Sequence, residues 1–162
     1  MGLGDGEPLD GTLFGAEQPC YGCGPRHPHG FRLAFSREGD EIVTRFVPGP
    51  ERQGPPGIMH GGLVATVADE LADWAIIATL GKFGFTASFE ARYGAPIRIG
   101  REVEGRAKVV RNAGRIVDVE ARLAQDGQAA FTGKFRFALF DRTGAERILG
   151  GPLPEEWRRF CR

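Results

Sequence analysis

The feature that most constrains the fold of this chain is a switch of hydrophobic period near residue 80. From His60 to about Leu80 the apolar residues recur every three or four positions, which predicts one long helix. Apolar and polar residues then alternate, as in half-buried strands, in four segments at about 85–93, 102–110, 117–123 and 131–139. Turn sequences at 112–114 and 125–127 predict that the last three strands are antiparallel neighbours.

Two shorter segments of β-type residues, 31–36 and 41–47, precede the helix and are separated by a turn sequence. A chain of 162 residues can bury one sizeable core. We therefore predict an α+β fold in which an antiparallel sheet of about six strands wraps around one long central helix. The predicted organisation is an N-terminal lead-in (1–30), one domain (31–140) and a C-terminal tail (141–162) that is a loop with a short terminal turn.

Composition excludes several classes of partner. Lysine plus arginine and aspartate plus glutamate each number 21, without a polybasic block, so nucleic acid is not an expected partner. The longest apolar run, about 74–80, is far shorter than the roughly 20 residues that cross a bilayer, so no membrane partner is expected. The N-terminus has no secretory-signal pattern, and three cysteines fit a reducing compartment. We expect a cytoplasmic protein.

The stretch GPPGIMHGGLVATVADE, residues 54–70, contains residue types that stability alone does not favour in a helix. Gly61 and Gly62 leave the first backbone N–H groups of the helix open to a ligand oxyanion, unless they serve only tight packing. Asp69 and Glu70 lie in the middle of the helix among apolar residues. A carboxylate there can act as a general base or a nucleophile, or it can belong to a solvated strip or a subunit contact.

The spacing of the glycine and the acid predicts a site shared between two chains. Gly61 and Asp69 are eight residues apart, about 12 Å along a helix that rises 1.5 Å per residue. One helix therefore cannot bring both residues to a single carbonyl group. A partner helix lying antiparallel removes the difficulty, because the amide of one protomer then meets the carboxylate of the other. We expect a homodimer or a dimer of dimers.

The chain resembles the hotdog-fold acyl-CoA thioesterases of the 4-hydroxybenzoyl-CoA thioesterase and PaaI type in two stretches, HGGLVATVADELADWA and TASFEARYGAPIRIGREVEGRAKVVRNAGRIVDVEARLAQDGQAAFTGKF. The resemblance runs from about residue 20 to residue 140. It depends on the order of the motifs: HGG, an acid nine residues after the His, a Thr-bearing strand, Pro96 with a following Gly100, and a final strand of small and aromatic residues. The segment CYGCGPRHPHGFRL also looks like a lead-in found in some members.

This resemblance implies hydrolysis of an acyl-CoA, or of another acyl thioester, to a free acid and a thiol, without a cofactor. The Gly61 N–H would polarise the thioester carbonyl, Asp69 would activate water or attack directly, and Thr86 would help to place the water. Two other activities remain open. They are a hydratase or dehydratase acting on an acyl thioester, which would need a catalytic His60, and a noncatalytic acyl-thioester binding protein.

Further contacts to the substrate are implied around the helix start. His60 and Gly62 would shape this region, His60 by hydrogen bonding instead of acting as the base. Members often have Asn or Gln six residues before the His. This chain has Gly54 there, so the neighbouring Gln53 becomes the candidate for that contact.

A metal site in the lead-in is the weaker interpretation of its cysteines and histidines. Cys20, Cys23, His27 and His29 place four soft ligands within ten residues. The His-x-His spacing is unusual for zinc, and the sequence has no second cluster. We therefore predict no metal, with structural zinc on these four residues as the alternative.

Overall fold

A computed structural model describes residues 6–162 of the chain. Its strands and helices are β1 (Glu7–Pro8), β2 (Ser36–Glu38), β3 (Glu41–Phe46), α1 (Gly61–Leu80), β4 (Gly84–Tyr93), β5 (Val103–Asn112), β6 (Ile116–Gln125), β7 (Gln128–Leu139) and α2 (Arg142–Leu149). Short 3₁₀ helices cover Pro50–Arg52 and Glu155–Phe160. The strands pair antiparallel in the order β1-β2-β3-β5-β6-β7-β4. None of the helices within residues 6–162 is long and apolar enough to span a membrane.

The helix α1 forms the centre of the core, as its hydrophobic period predicts. Its residues Val67, Leu71 and Trp74 are almost completely inaccessible to solvent. They pack against apolar side chains that β3, β5, β6 and β7 direct to the same side of the sheet, among them Ile42, Val103, Val119, Leu123, Phe131 and Phe135. The predicted α+β class, with an antiparallel sheet around one long helix, is confirmed. The sheet has seven strands because the two residues of β1 pair with β2 at its edge.

The connection between β6 and β7 shows how turn chemistry sets the register of the sheet. Asp126 and Gly127 both have positive φ, 52° and 75°, as a two-residue hairpin turn that matches the strand twist requires. Gln125 and Gln128 consequently pair across the turn. In β6 the side chains of Val117, Val119, Ala121 and Leu123 then alternate into the core.

Two segments differ from the sequence-based prediction. Residues 31–35 are not a strand, because the N–H groups of Phe31 and Leu33 donate to Tyr21 O and Gly22 O of the lead-in and not to a neighbouring strand. The tail is not a loop, since α2 begins at a cap in which Asp141 Oδ1 accepts a hydrogen bond from Gly144 N–H at 2.8 Å.

A buried arginine makes several of the contacts that hold the lead-in to the domain. Arg52 is 9% exposed and donates hydrogen bonds to Tyr21 Oη at 2.7 Å, His29 O at 2.8 Å and Gly30 O at 2.7 Å. Its guanidinium carbon also lies 4.3 Å from the centre of the Phe31 ring. A guanidinium has the donors and the flat apolar face that such a site needs. Arg52 therefore holds the lead-in against the loop that precedes α1.

Replacing Arg52 with alanine should lower the free energy of unfolding by about 2 to 4 kcal/mol, because the buried Gly30 carbonyl loses its donor, as do the His29 carbonyl and the Tyr21 hydroxyl. Urea denaturation followed by tryptophan fluorescence measures this change. Arg26→Ala is the matched control, since Arg26 pairs with Glu17 at the surface and both side chains are more than two-thirds exposed. Equal losses in the two variants would contradict the assigned role of Arg52.

A network of ion pairs joins four strands on the polar side of the sheet. It consists of three arginines and three glutamates: Arg45, Arg106, Arg122, Glu38, Glu41 and Glu104. Arg106 is its centre, with atoms 2.6 Å from Glu38 Oε2 and 2.6 Å from Glu104 Oε1. Hydrogen bonds from the arginines, led by Arg45, Arg122 and Arg106 respectively, lower the pKa of Glu38, Glu41 and Glu104 below the ordinary 4.5.

Arg106→Met should lower the free energy of unfolding by about 1 kcal/mol at neutral pH, a modest value because solvent screens the partly exposed pairs. The folded-state pKa values of its partners lie below their unfolded values. The stabilisation is therefore complete above the ordinary glutamate pKa and is lost as the pH falls through the lowered values. Urea titrations of both proteins at neutral and acidic pH should show the difference shrinking in acid. A difference that is independent of pH would refute this electrostatic origin.

Candidate functional site

The start of α1 presents one open backbone donor, at Gly61. His60 caps the helix: its Nδ1 accepts a hydrogen bond from Gly62 N–H at 3.0 Å, and its carbonyl accepts from Leu63 and Val64 N–H. Among residues 6–162 no acceptor faces Gly61 N–H. The sequence predicts two open donors here, but His60 occupies that of Gly62. The positive end of the helix dipole adds to the affinity of the open Gly61 N–H for an anion.

An apolar cavity of about 400 Å³ adjoins Gly61. Its lining includes Pro55, Met59, Val64, Tyr93 and Ile97. The Tyr93 hydroxyl donates to Gly61 O at 2.8 Å, which fixes the first peptide of the helix while its N–H remains open. The helix start thus combines a polar donor with an apolar surface, the usual composition of a small-molecule site.

The carboxylate of Asp69 is held by Thr86. Thr86 Oγ1 donates to Asp69 Oδ1 at 2.6 Å, across the gap between α1 and β4. The pairing of β4 with β7 shifts register between Thr86 and Ser88, and such a bulge redirects side chains at functional positions. Burial raises the pKa of Asp69 above its ordinary 3.8, and the hydrogen bond from Thr86 opposes that rise. The structure therefore brings two of the sequence-predicted site residues into direct contact.

Two further acids of α1 share this environment. Glu70 Oε2 accepts a hydrogen bond from the Cys20 thiol at 3.3 Å, whereas the buried Asp73 Oδ1 has no partner within the described residues. Burial raises the pKa of Glu70 to about 8 and that of Asp73 well above 3.8. In the part of the chain that the structure describes, Asp69, Glu70 and Asp73 form no ion pair with a basic side chain. The sequence leaves Glu70 without a role and does not reveal its contact with Cys20.

Gln53 directs its amide into its own loop. Its Nε2 donates to Pro50 O at 2.9 Å, and its Oε1 accepts from Gly57 N–H at 2.7 Å. Gly54 packs closely against His60, since a Cβ placed on Gly54 would lie 3.2 Å from His60 Cα. In this conformation both polar atoms of the Gln53 amide make hydrogen bonds within the loop, so the amide does not point towards a substrate.

The edge of the sheet next to Asp69 is open. Within residues 6–162, β4 is the last strand in the sheet order and pairs on one side only, with β7. Residues 86–90 of β4 are all exposed, and Tyr93 is 56% exposed. An unpaired strand edge is a template for another chain. This edge carries Thr86, so a chain that docked on it would lie directly beside the Thr86–Asp69 pair.

A known protein family matches the part of the chain that contains the candidate site. Residues 56–131 match the model of a family described as Thioesterase superfamily. The resemblance to this family is thereby confirmed. The matched segment contains Gly61, Asp69 and Thr86, and therefore the helix start, the acid and the strand described above.

One similar protein carries a more specific name. The acyl-coenzyme A thioesterase THEM4 of Xenopus laevis is 34% identical over 85 residues, which are 52% of this chain and 38% of that protein. The chain thus corresponds to well under two thirds of this curated relative.

Solved structures of thioesterase superfamily proteins share the fold. A crystal structure described as a thioesterase superfamily protein has a TM-score of 0.69 and 23% identity, over 77% of this chain and 61% of its own. A hypothetical thioesterase protein with coenzyme A, from Streptococcus pneumoniae TIGR4, has a TM-score of 0.61 and 14% identity, over 66% of this chain and 87% of its own. The antiparallel sheet around α1 is the hotdog fold of these thioesterases.

Proposed function

We propose that the protein hydrolyses an acyl thioester, in the first place an acyl-CoA, to a carboxylic acid and a free thiol. The observation that carries this proposal is a pair of features on α1: the open Gly61 N–H beside an apolar cavity, and the half-buried Asp69 carboxylate held by Thr86. The THEM4 relative and the thioesterase structure with coenzyme A support this substrate class.

The Gly61 N–H polarises the thioester carbonyl. Negative charge develops on the carbonyl oxygen when the carbon is attacked, and the fixed donor and the helix dipole stabilise it. A donor in this position is worth roughly 3 to 4 kcal/mol of transition-state stabilisation in acyl-transfer enzymes. The adjoining cavity receives the apolar part of the substrate.

Asp69 supplies the attack. As a general base it takes a proton from water while the water oxygen bonds to the carbonyl carbon, and it returns the proton to sulfur when the C–S bond breaks. As a nucleophile it forms an acyl anhydride as the C–S bond breaks and releases the thiolate, which takes a proton from water; a second water then cleaves the anhydride and regenerates the Asp69 carboxylate. In both routes Thr86 orients the carboxylate, and in the first it also helps to place the water.

The two halves of the site come from two chains. Gly61 and Asp69 are separated by about 12 Å of helix, so the Gly61 N–H of one protomer serves the Asp69 of its partner. The open edge of β4 lies beside Asp69 and supports a homodimer with the contact there. The three cysteines are free thiols, which supports a cytoplasmic location.

The geometry favours hydrolysis over hydration or dehydration of an acyl thioester. The hydratase alternative depends on His60 as an acid or base, and because its Nδ1 is engaged in capping α1, only Nε2 could take that role. A purely binding role makes no use of a carboxylate held by a hydroxyl. Kinetics of two sets of variants distinguish these alternatives.

Asp69→Asn should lower kcat by on the order of 10²-fold to 10⁴-fold, because the variant keeps the side-chain shape but loses the base or nucleophile. Release of free thiol from a panel of acyl-CoA substrates measures the rate, and circular dichroism verifies folding. Asp126→Asn, in the exposed β6–β7 turn, is the control and should retain full activity. An Asp69→Asn variant with unchanged turnover, or a wild-type protein that binds acyl-CoA without cleaving it, would refute the proposal.

Gly61→Pro tests the amide donor by itself. Proline has no N–H and is tolerated at the first helical position, and His60 already has the extended conformation (φ −60°, ψ 130°) that a residue before proline needs. We expect kcat to fall by about 100-fold or more. Gly61→Ala is the matched control: it keeps the N–H, and its Cβ would meet Tyr93 at 3.5 Å, an ordinary contact distance. Equal activities of the proline and alanine variants would show that the donor has no catalytic role.

A further inference from the structure

Two cysteines of the lead-in and one acid of α1 converge on a single point. The Sγ atoms of Cys20 and Cys23 and a carboxylate oxygen of Glu70 all lie within 4.8 Å of one another. Cys20 and Glu70 are 50 residues apart in the chain. The cluster therefore forms only when the lead-in folds onto the helix.

The turn between the two cysteines is shaped to present both sulfur atoms. The Gly24 N–H donates to Cys20 O at 2.9 Å, which closes the turn, and the Cys23 N–H points at Cys20 Sγ at 3.5 Å. Gly22 is required because a Cβ at this position would lie 2.6 Å from Glu70 Cγ. The absence of a side chain thus lets the loop close over the carboxylate.

A buried amide supports the same cluster from behind. Gln18 is 7% exposed; its Oε1 accepts from Cys20 N–H at 2.9 Å, and its Nε2 donates to Cys23 Sγ at 3.3 Å. N–H groups directed at sulfur favour the thiolate form, which is the form that binds metals. Outer contacts of this kind orient the ligands of metal sites.

Within residues 6–162, the acidic groups at the cluster have no basic partner. Asp73, three residues beyond Glu70 on α1, keeps a buried oxygen without a partner among residues 6–162. No basic side chain of the described residues lies within 4.0 Å of Glu70 or Asp73, so no such side chain competes with a metal ion for these oxygens.

We propose that Cys20, Cys23 and Glu70 bind a zinc ion, with water in the fourth position. Two thiolates and a carboxylate are zinc ligands, and ligand atoms of a tetrahedral zinc site lie about 3.5 to 3.8 Å apart. Side-chain adjustments of about 1 Å bring the three atoms to that spacing. The ion ties the lead-in to α1 next to Asp69.

This ligand set differs from the four-residue zinc alternative considered from the sequence. His27 Nδ1 accepts a hydrogen bond from His29 N–H, and neither histidine belongs to the converging cluster. Glu70 takes their place. The proposal is independent of thioester hydrolysis, since it concerns metal binding at groups to which the proposed reaction assigns no step.

Metal content of the full-length protein tests the site. Reduced wild-type protein, loaded with zinc and dialysed, should retain about one zinc ion per chain by plasma mass spectrometry. Cys20→Ser should abolish this retention, and Glu70→Gln should weaken zinc binding at least tenfold. The matched controls Cys161→Ser and His27→Ala should retain the metal, because Cys161 lies in a separate apolar cluster. Retention by Cys20→Ser, or its loss in His27→Ala, would overturn the assignment.

Cobalt substitution provides a second readout that does not depend on whether the variants fold. Wild-type protein titrated with Co²⁺ should develop thiolate-to-cobalt charge-transfer absorption together with the visible bands of a tetrahedral ion. Failure of the reduced protein to bind either metal would overturn the proposal. So would isolation of the protein, under reducing conditions, with a Cys20–Cys23 disulfide.

Discussion

Three partly buried carboxylates on one face of α1, which have no basic partner among residues 6–162, are the constraint on which the rest of the structure depends. Apart from its acids and two threonines, α1 is apolar and lies in the core, so each acid needs a polar group from another element. Thr86 of β4 contacts Asp69, and the thiol of Cys20 in the lead-in contacts Glu70. Asp73 Oδ1 has no partner within residues 6–162. The positions of β4 and the lead-in are thus linked to the same helix face.

The fold could be predicted from the sequence wherever periodicity determines it. A period of three to four residues over α1 and a period of two over β4 to β7 can be satisfied by few arrangements of one core. Residues 31–35 could not be predicted, because their β-type composition says nothing about which backbone accepts their N–H groups. α2 was missed for a related reason: a helix of eight residues depends on its cap at Asp141 and on packing, not on a sustained period.

The candidate site likewise contains residues that the sequence identifies and contacts that only the folded structure reveals. Gly61 and Asp69 stand out as candidates because their residue types are unfavourable in an apolar helix, whereas Thr86 is a candidate only through the resemblance to the thioesterases. The resemblance implies substrate contacts for Gly62 and Gln53, yet local hydrogen bonds to His60 and within the loop at 50–57 occupy their polar groups. Such competition is decided by geometry that a motif does not encode. The contact of Cys20 with Glu70 links distant parts of the chain, so no local pattern could reveal it.

The central claim is that two protomers complete each site, and mixed dimers test it most directly. Gly61→Pro and Asp69→Asn chains, each inactive alone, are unfolded together and refolded as an equal mixture. If the Gly61 N–H of one chain serves the Asp69 of the other, half of the dimers are mixed and each has one intact site, so roughly a quarter of wild-type thioesterase activity returns. A mixture that forms mixed dimers but stays as inactive as its components would contradict the account.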